Sequence, residues 1–139
     1  MPFWLGKMQQ NNVSLVKAIF CIIGILAISS CGRPLGMKEI SRFASPDGKV
    51  EAVWCETNFG GATSGYSYTL YLVRSGESPH WNYPLLSVDQ FDDLRIEWRA
   101  TRTLEISFKT ARIYSYRNFW ETKIDDLVYS YKILLNQAS

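Results

Sequence analysis

From Glu39 to Leu135 apolar and polar residues alternate with a period of two, and this alternation limits what the chain can fold into. A strand sends successive side chains to opposite faces, whereas a helix repeats about every 3.6 residues, so the pattern points to half-buried sheet. The clearest pair is Leu94, Ile96 and Trp98, alternating with Arg95, Glu97 and Arg99, and then Leu104, Ile106 and Phe108, alternating with Glu105, Ser107 and Lys109. The short link Ala100–Thr103 between them predicts an antiparallel hairpin with one face in the core and one in water. Lys49–Thr57 has Val50, Ala52 and Trp54 on one side and Val53 and Cys55 on the other, so it is expected to be a central strand. Tyr66–Arg74 and Leu127–Leu135 alternate in the same way, and Ile40–Ala44, Leu85–Phe91 and Ile113–Tyr116 read as shorter strands. Ser45-Pro46-Asp47-Gly48 is a tight turn, because proline presets one backbone angle and glycine accepts a positive φ. Asn58–Gly65, Ser75–Pro84 and Arg117–Asp126 read as connections. No helical period occurs after Cys31. The expected fold is therefore all-β, an antiparallel meander of about seven or eight strands rolled into a sandwich or open barrel over residues 39–139.

Ahead of the strands lies an uninterrupted apolar run, Ala18–Ile28, preceded by Lys17 and by no acidic residue. This charged-then-apolar order is that of a secretory signal. As a helix the run would reach about 16 Å, roughly half of the ~30 Å hydrocarbon core, so a stable spanning helix is the weaker reading. The run ends in Ile28-Ser29-Ser30-Cys31, which resembles the lipobox of bacterial lipoproteins: an aliphatic residue, two small residues and the cysteine. The resemblance implies removal of residues 1–30 as a signal peptide, a diacylglycerol on the Cys31 thiol and acylation of the new amino group. Several acyl chains give stable membrane anchoring where one gives only marginal binding. Residues 31–38 would then be a short lipidated tether. In a diderm envelope, Gly32 in place of an aspartate favours the outer membrane.

The strings SPDGKVEAVW, GGATSGYSYTLYLV, LRIEWRATRTLEISF and ARIYSY, spread over Ser45–Tyr116, resemble a group of small exported bacterial β-domains without an assigned activity. These are turn-and-strand signatures, so the resemblance implies a fold and an extracytoplasmic location and names no reaction.

Charge and cysteine usage narrow the function further. Of 15 basic residues, Lys7 and Lys17 belong to the signal segment, which leaves 13 against 13 acidic ones. A neutral domain has no electrostatic pull towards nucleic acid or anionic lipid. Cys21 falls in the signal segment and Cys31 in the lipobox, so Cys55 is left alone and is expected to be a buried, inert thiol.

Candidate chemistry is sparse. His80 is the single histidine, which rules out a multi-histidine metal site and weakens a serine triad. Asp89, Asp92 and Asp93 form one acidic cluster and Asp125-Asp126 another. Paired carboxylates serve glycoside hydrolysis when they share a cleft, but both clusters are expected to serve turns at strand starts. The Gly60–Gly65 segment lacks the Lys-Ser/Thr ending of a phosphate loop, and Gly60 and Gly61 are candidates only for ligand contact through backbone amides. Trp81, Tyr83, Phe119 and Trp120 fall in expected connections, either as a lid on the core or as rings that grip a sugar or a protein. Tyr83-Pro84 is a candidate cis bond. Two functions remain. One is a non-enzymatic envelope lipoprotein that binds, inhibits or assembles, with a membrane, an envelope protein or a polysaccharide as partner and no cofactor. The other is a surface hydrolase of polysaccharide or peptide, using Asp89 and Asp92.

Overall fold

A computed structural model describes residues 36–58 and 65–138, which fall within one compact unit, Pro34–Ser139. Cys31, Gly60 and Gly61 lie outside the described residues. The fold is all-β, with nine strands among the described residues: β1 (Gly36–Ala44), β2 (Val50–Asn58), β3 (Tyr66–Arg74), β4 (Leu86–Asp92), β5 (Arg95–Ala100), β6 (Thr103–Phe108), β7 (Thr110–Tyr116), β8 (Phe119–Ile124) and β9 (Leu127–Gln137). They form two sheets in a sandwich-like arrangement, one ordered β1-β2-β3-β4-β7 and the other β5-β6-β9-β8. Every pairing is antiparallel except β6 with β9.

The period-two pattern explains the layers. Val50, Ala52 and Trp54 of β2 join Leu70 and Leu72 of β3 in the main core, which also takes Ile96, Leu104, Ile106, Tyr129, Tyr131 and Ile133 from the small sheet. Val53 and Cys55, on the other face of β2, form a second cluster with Tyr71 and Val73 of β3. This makes β2 central, with β1 and β3 on its flanks and apolar residues on both faces. The β5–β6 hairpin has the expected register, Ile96 opposite Ile106 and Trp98 opposite Leu104. Polar ties cross between the sheets: the Trp98 indole donates to the Phe43 carbonyl at 3.0 Å, and the Lys49 ammonium donates to the Tyr129 hydroxyl at 2.6 Å.

The segment after β3 is strapped to the large sheet. Tyr71 donates its hydroxyl to the Trp81 carbonyl at 3.4 Å, and the Gly76 amide donates to Glu51 at 3.0 Å. Arg42 bonds both Glu51 and the Glu77 carbonyl. The Ser45–Lys49 turn closes as its sequence predicts: Gly48 takes φ +68°, and Ser45 Oγ donates to Asp47 while accepting from the Val50 amide.

Several local expectations change. β1 begins at Gly36, so residues 36–38, expected to belong to a tether, are strand. A register shift between Glu39 and Ser41 turns Ile40 outward, leaving it 48% exposed. Tyr83-Pro84 is trans. Phe119 and Trp120 sit on β8 instead of in a loop, and Asp89 and Asp92 lie within β4 instead of at a strand start. The chain also departs from a simple meander, since β9 inserts between β6 and β8.

Removing a fully buried side chain leaves a cavity, whereas trimming an exposed one does not. Leu104→Ala, at a site with no exposure, is expected to cost about 2–5 kcal/mol in urea unfolding. Leu127→Ala, at a site 61% exposed, should stay within about 0.5 kcal/mol of the parent.

Candidate functional site

The aromatic candidates separate into different roles. His80 stacks on Trp81 with ring centroids 6.4 Å apart and lies 5.6 Å from the Tyr83 ring, so these three form a small surface cluster on the strap. Trp81 is half-buried, while Tyr83 is 63% exposed. Trp120 faces inward, packs on the main core and lies 5.7 Å from the Tyr131 ring, so it belongs to the fold. Phe119, its neighbour on β8, faces the other way and is 62% exposed. Phe119 is one of several exposed apolar residues, and what makes it a candidate contact is its place on the rim of a groove.

The acidic candidates do not assemble into a catalytic pair. Both Asp89 oxygens are bonded by the Arg112 guanidinium, at 2.6 and 2.5 Å, and one also accepts from the Tyr114 hydroxyl at 2.7 Å. The hydrogen bond from Arg112 comes first among the causes that hold the Asp89 carboxyl below its ordinary value. A general acid of a glycosidase needs a shift in the opposite direction. Asp92 lies beyond an irregular stretch of β4 in which Gln90 takes a positive φ, and it is paired with Thr110. Among the described residues no group of three or more His, Cys, Asp or Glu side chains could hold a metal ion. Cys55 is buried, and burial pushes its thiol up to about 11, which removes it as a nucleophile.

An open groove lies beside β9. Residues Leu127–Lys132 of β9 pair with β8, and residues Lys132–Gln137 pair with β6 on the opposite edge. Each edge of β9 is thus covered by a strand over only part of its length. Past the Phe119–Lys132 pair, Asn118 and Tyr116 take over: Asn118 accepts from the Ile133 amide at 2.8 Å, and the Tyr116 hydroxyl donates to the Ile133 carbonyl at 2.6 Å. The resulting groove measures about 700 Å³. Tyr116, Phe119, Ile133 and Leu135 supply apolar surface, Asn118, Ser130 and Asn136 supply amide and hydroxyl groups, and Arg102 and Lys132 supply positive charge. Among the described residues no carboxylate lines it. Arg102 rests over the Tyr129 ring, 4.7 Å from its centroid, and among the described residues neither Arg102 nor Lys132 is ion-paired.

Of the candidate site residues singled out in the sequence and described by the structure, only Phe119 reaches this groove. Arg102, Lys132, Tyr116 and Asn118 had no distinguishing signal. In a strand pattern an outward lysine looks like any solvated residue, and the lack of an ion-pair partner emerges only once β8, β9 and the β5–β6 turn are side by side. Tyr131 also borders the groove, yet it is 1% exposed, and its hydroxyl is buried without a hydrogen-bond partner among the described residues.

No protein-family model matches the chain, and no curated protein or solved structure is significantly similar to it.

Two predictions follow from the groove's hydroxyls and from Asp89. A buried hydroxyl without a partner costs stability, so Tyr131→Phe is expected to be neutral or to stabilise by up to about 1 kcal/mol, whereas Tyr116→Phe, which loses the bond to Ile133, should cost about 1 kcal/mol in the same urea assay. The Asp89 carboxyl is held below its ordinary value of 3.8, so its contribution is complete above that value and is lost as pH falls through the folded value. Stability measured from about pH 4 downward should therefore fall less steeply in Asp89→Asn than in the parent.

Proposed function

We propose that the chain is a membrane-anchored bacterial envelope lipoprotein whose β-sandwich is a non-enzymatic binding module, serving recognition, inhibition or assembly. Anchoring rests on the lipobox-like Ile28-Ser29-Ser30-Cys31 and the apolar run before it. It places the domain outside the cytoplasm, in the outer membrane where the host is diderm. The observation that carries the binding reading is Phe119, an exposed ring on the rim of an open groove whose two cations are in no ion pair among the described residues. Its partner is an envelope protein or polysaccharide. The hydrolase alternative gains no support, because Asp89 is committed to Arg112 and Tyr114.

Two measurements test this reading. Mass spectrometry of membrane-extracted protein is expected to show a chain beginning at Cys31 and carrying acyl mass, while Cys31→Ser stays unprocessed and unacylated. An intact amino terminus with a free Cys31 thiol would end the anchoring reading. A photo-crosslinking residue at position 119 should capture an envelope component in living cells, and the same residue at position 127, at the start of β9, should not. Equal yields at both positions would remove the groove from the account.

A further inference from the structure

The groove is bounded by an unfinished sheet edge, and that restricts what can occupy it. Backbone amides along a strand point alternately to its two sides. The Lys132 amide points to the β6 side, where it donates to the Arg102 carbonyl at 2.8 Å, and the Ile133 amide points to the β8 side, where it donates to Asn118. The alternation turns the backbone groups of Leu135 and Gln137 to the β8 side as well, and β8 ends at Phe119, opposite Lys132. Among the described residues no strand pairs with β9 along that edge beyond Lys132. A free strand edge satisfies its backbone groups by accepting a further strand.

The side chains set the chemistry of such a strand. Leu135 is half-buried and packs on the main core at the open edge, as does Tyr116, whereas Phe119 and Lys132 form a cross-strand pair on the outer face. An incoming strand therefore meets Leu135 and Tyr116 with its inward side chains and the Phe119–Lys132 pair with its outward ones. The charge it meets is positive, from Lys132 and Arg102, within a domain of balanced overall charge. Of the acids nearest along the small sheet, Glu105 is ion-paired with Arg99, whereas Glu121, opposite Ser130 and diagonal to Lys132, accepts from the Ser130 hydroxyl and is in no ion pair among the described residues.

We propose that the groove binds an extended, acidic polypeptide segment of a partner protein, which adds a strand to the free edge of β9 in line with β8 and presents outward carboxylates to Lys132, with Arg102, across β9, adding to the positive charge of the groove. This deepens the binding-module reading and rests on it. Backbone pairing supplies alignment, inward apolar side chains against Leu135 and Tyr116 supply buried area, and the positive charge of the groove selects for acid on the outward side.

The test uses full-length protein in detergent micelles and capped synthetic peptides alternating valine with either glutamate or lysine. The glutamate peptide is expected to bind on the order of tenfold more tightly than the lysine peptide at low salt, the scale of two exposed charge pairs. Arg102→Glu combined with Lys132→Glu should reverse that preference, with the thermal unfolding midpoint confirming that the variant is folded. Methylating the amide nitrogens on one edge of the glutamate peptide should abolish its binding. The proposal is overturned if the two peptides bind alike, if methylation has no effect, or if neither peptide binds. In each of those cases a crosslink at position 119 that persists in cells leaves the groove as a binding surface for a different chemistry, such as polysaccharide, whereas loss of that crosslink as well removes the broader reading.

Discussion

The two sheets share one apolar layer, and the rest of the molecule depends on it. No helix is present among the described residues and Cys55 is a free thiol, so the order of the domain rests on side chains that interlock between strands. Trp54, Leu70, Leu86 and Val88 come from the large sheet and Leu104, Ile106, Tyr131 and Ile133 from the small one. Burial of this kind is non-directional, so register needs other devices. The Trp98–Phe43 and Lys49–Tyr129 bonds fix how the sheets meet, and the Arg42–Glu51–Gly76 ties hold the strap over the second cluster.

That layer also creates the groove. The long strand β9 supplies Tyr129, Tyr131 and Ile133 to the core along most of its length, so it must continue past the end of the six-residue β8. The surplus length is covered by β6 on one edge and only by Asn118 and Tyr116 on the other. A core requirement thus leaves a backbone edge open, with Phe119 on its rim. This pairing of a demand of the fold with an exposed ring separates the groove from the strap cluster of His80, Trp81 and Tyr83, whose rings stack on one another.

Much of the fold was legible because period-two patterning is a local signal. The two-faced character of β2, the β5–β6 hairpin and the Ser45–Lys49 turn each follow from residues close together in the chain. β8 was obscured because Phe119 places an apolar ring on the wet face beside the inward Trp120, which blurs the alternation in Arg117–Asp126. The parallel pairing of β6 with β9 had no local signature, since a strand's pattern reports which faces are buried and not which neighbour it meets. The site was less legible still, because its cations come from a turn and from a strand thirty positions later, and their shared lack of an acidic partner exists only in three dimensions.

The position of β9 inside the small sheet also sets an order of events. β5, β6 and β8 all precede it in the chain, yet β8 reaches the other two only through it. The sheet therefore cannot close until residues as late as Gln137 have emerged. Contacts that join distant parts of a chain form slowly, because loop closure must come first. A chain that emerges amino end first would therefore leave this sheet open until its last strand is free to slip between β6 and β8.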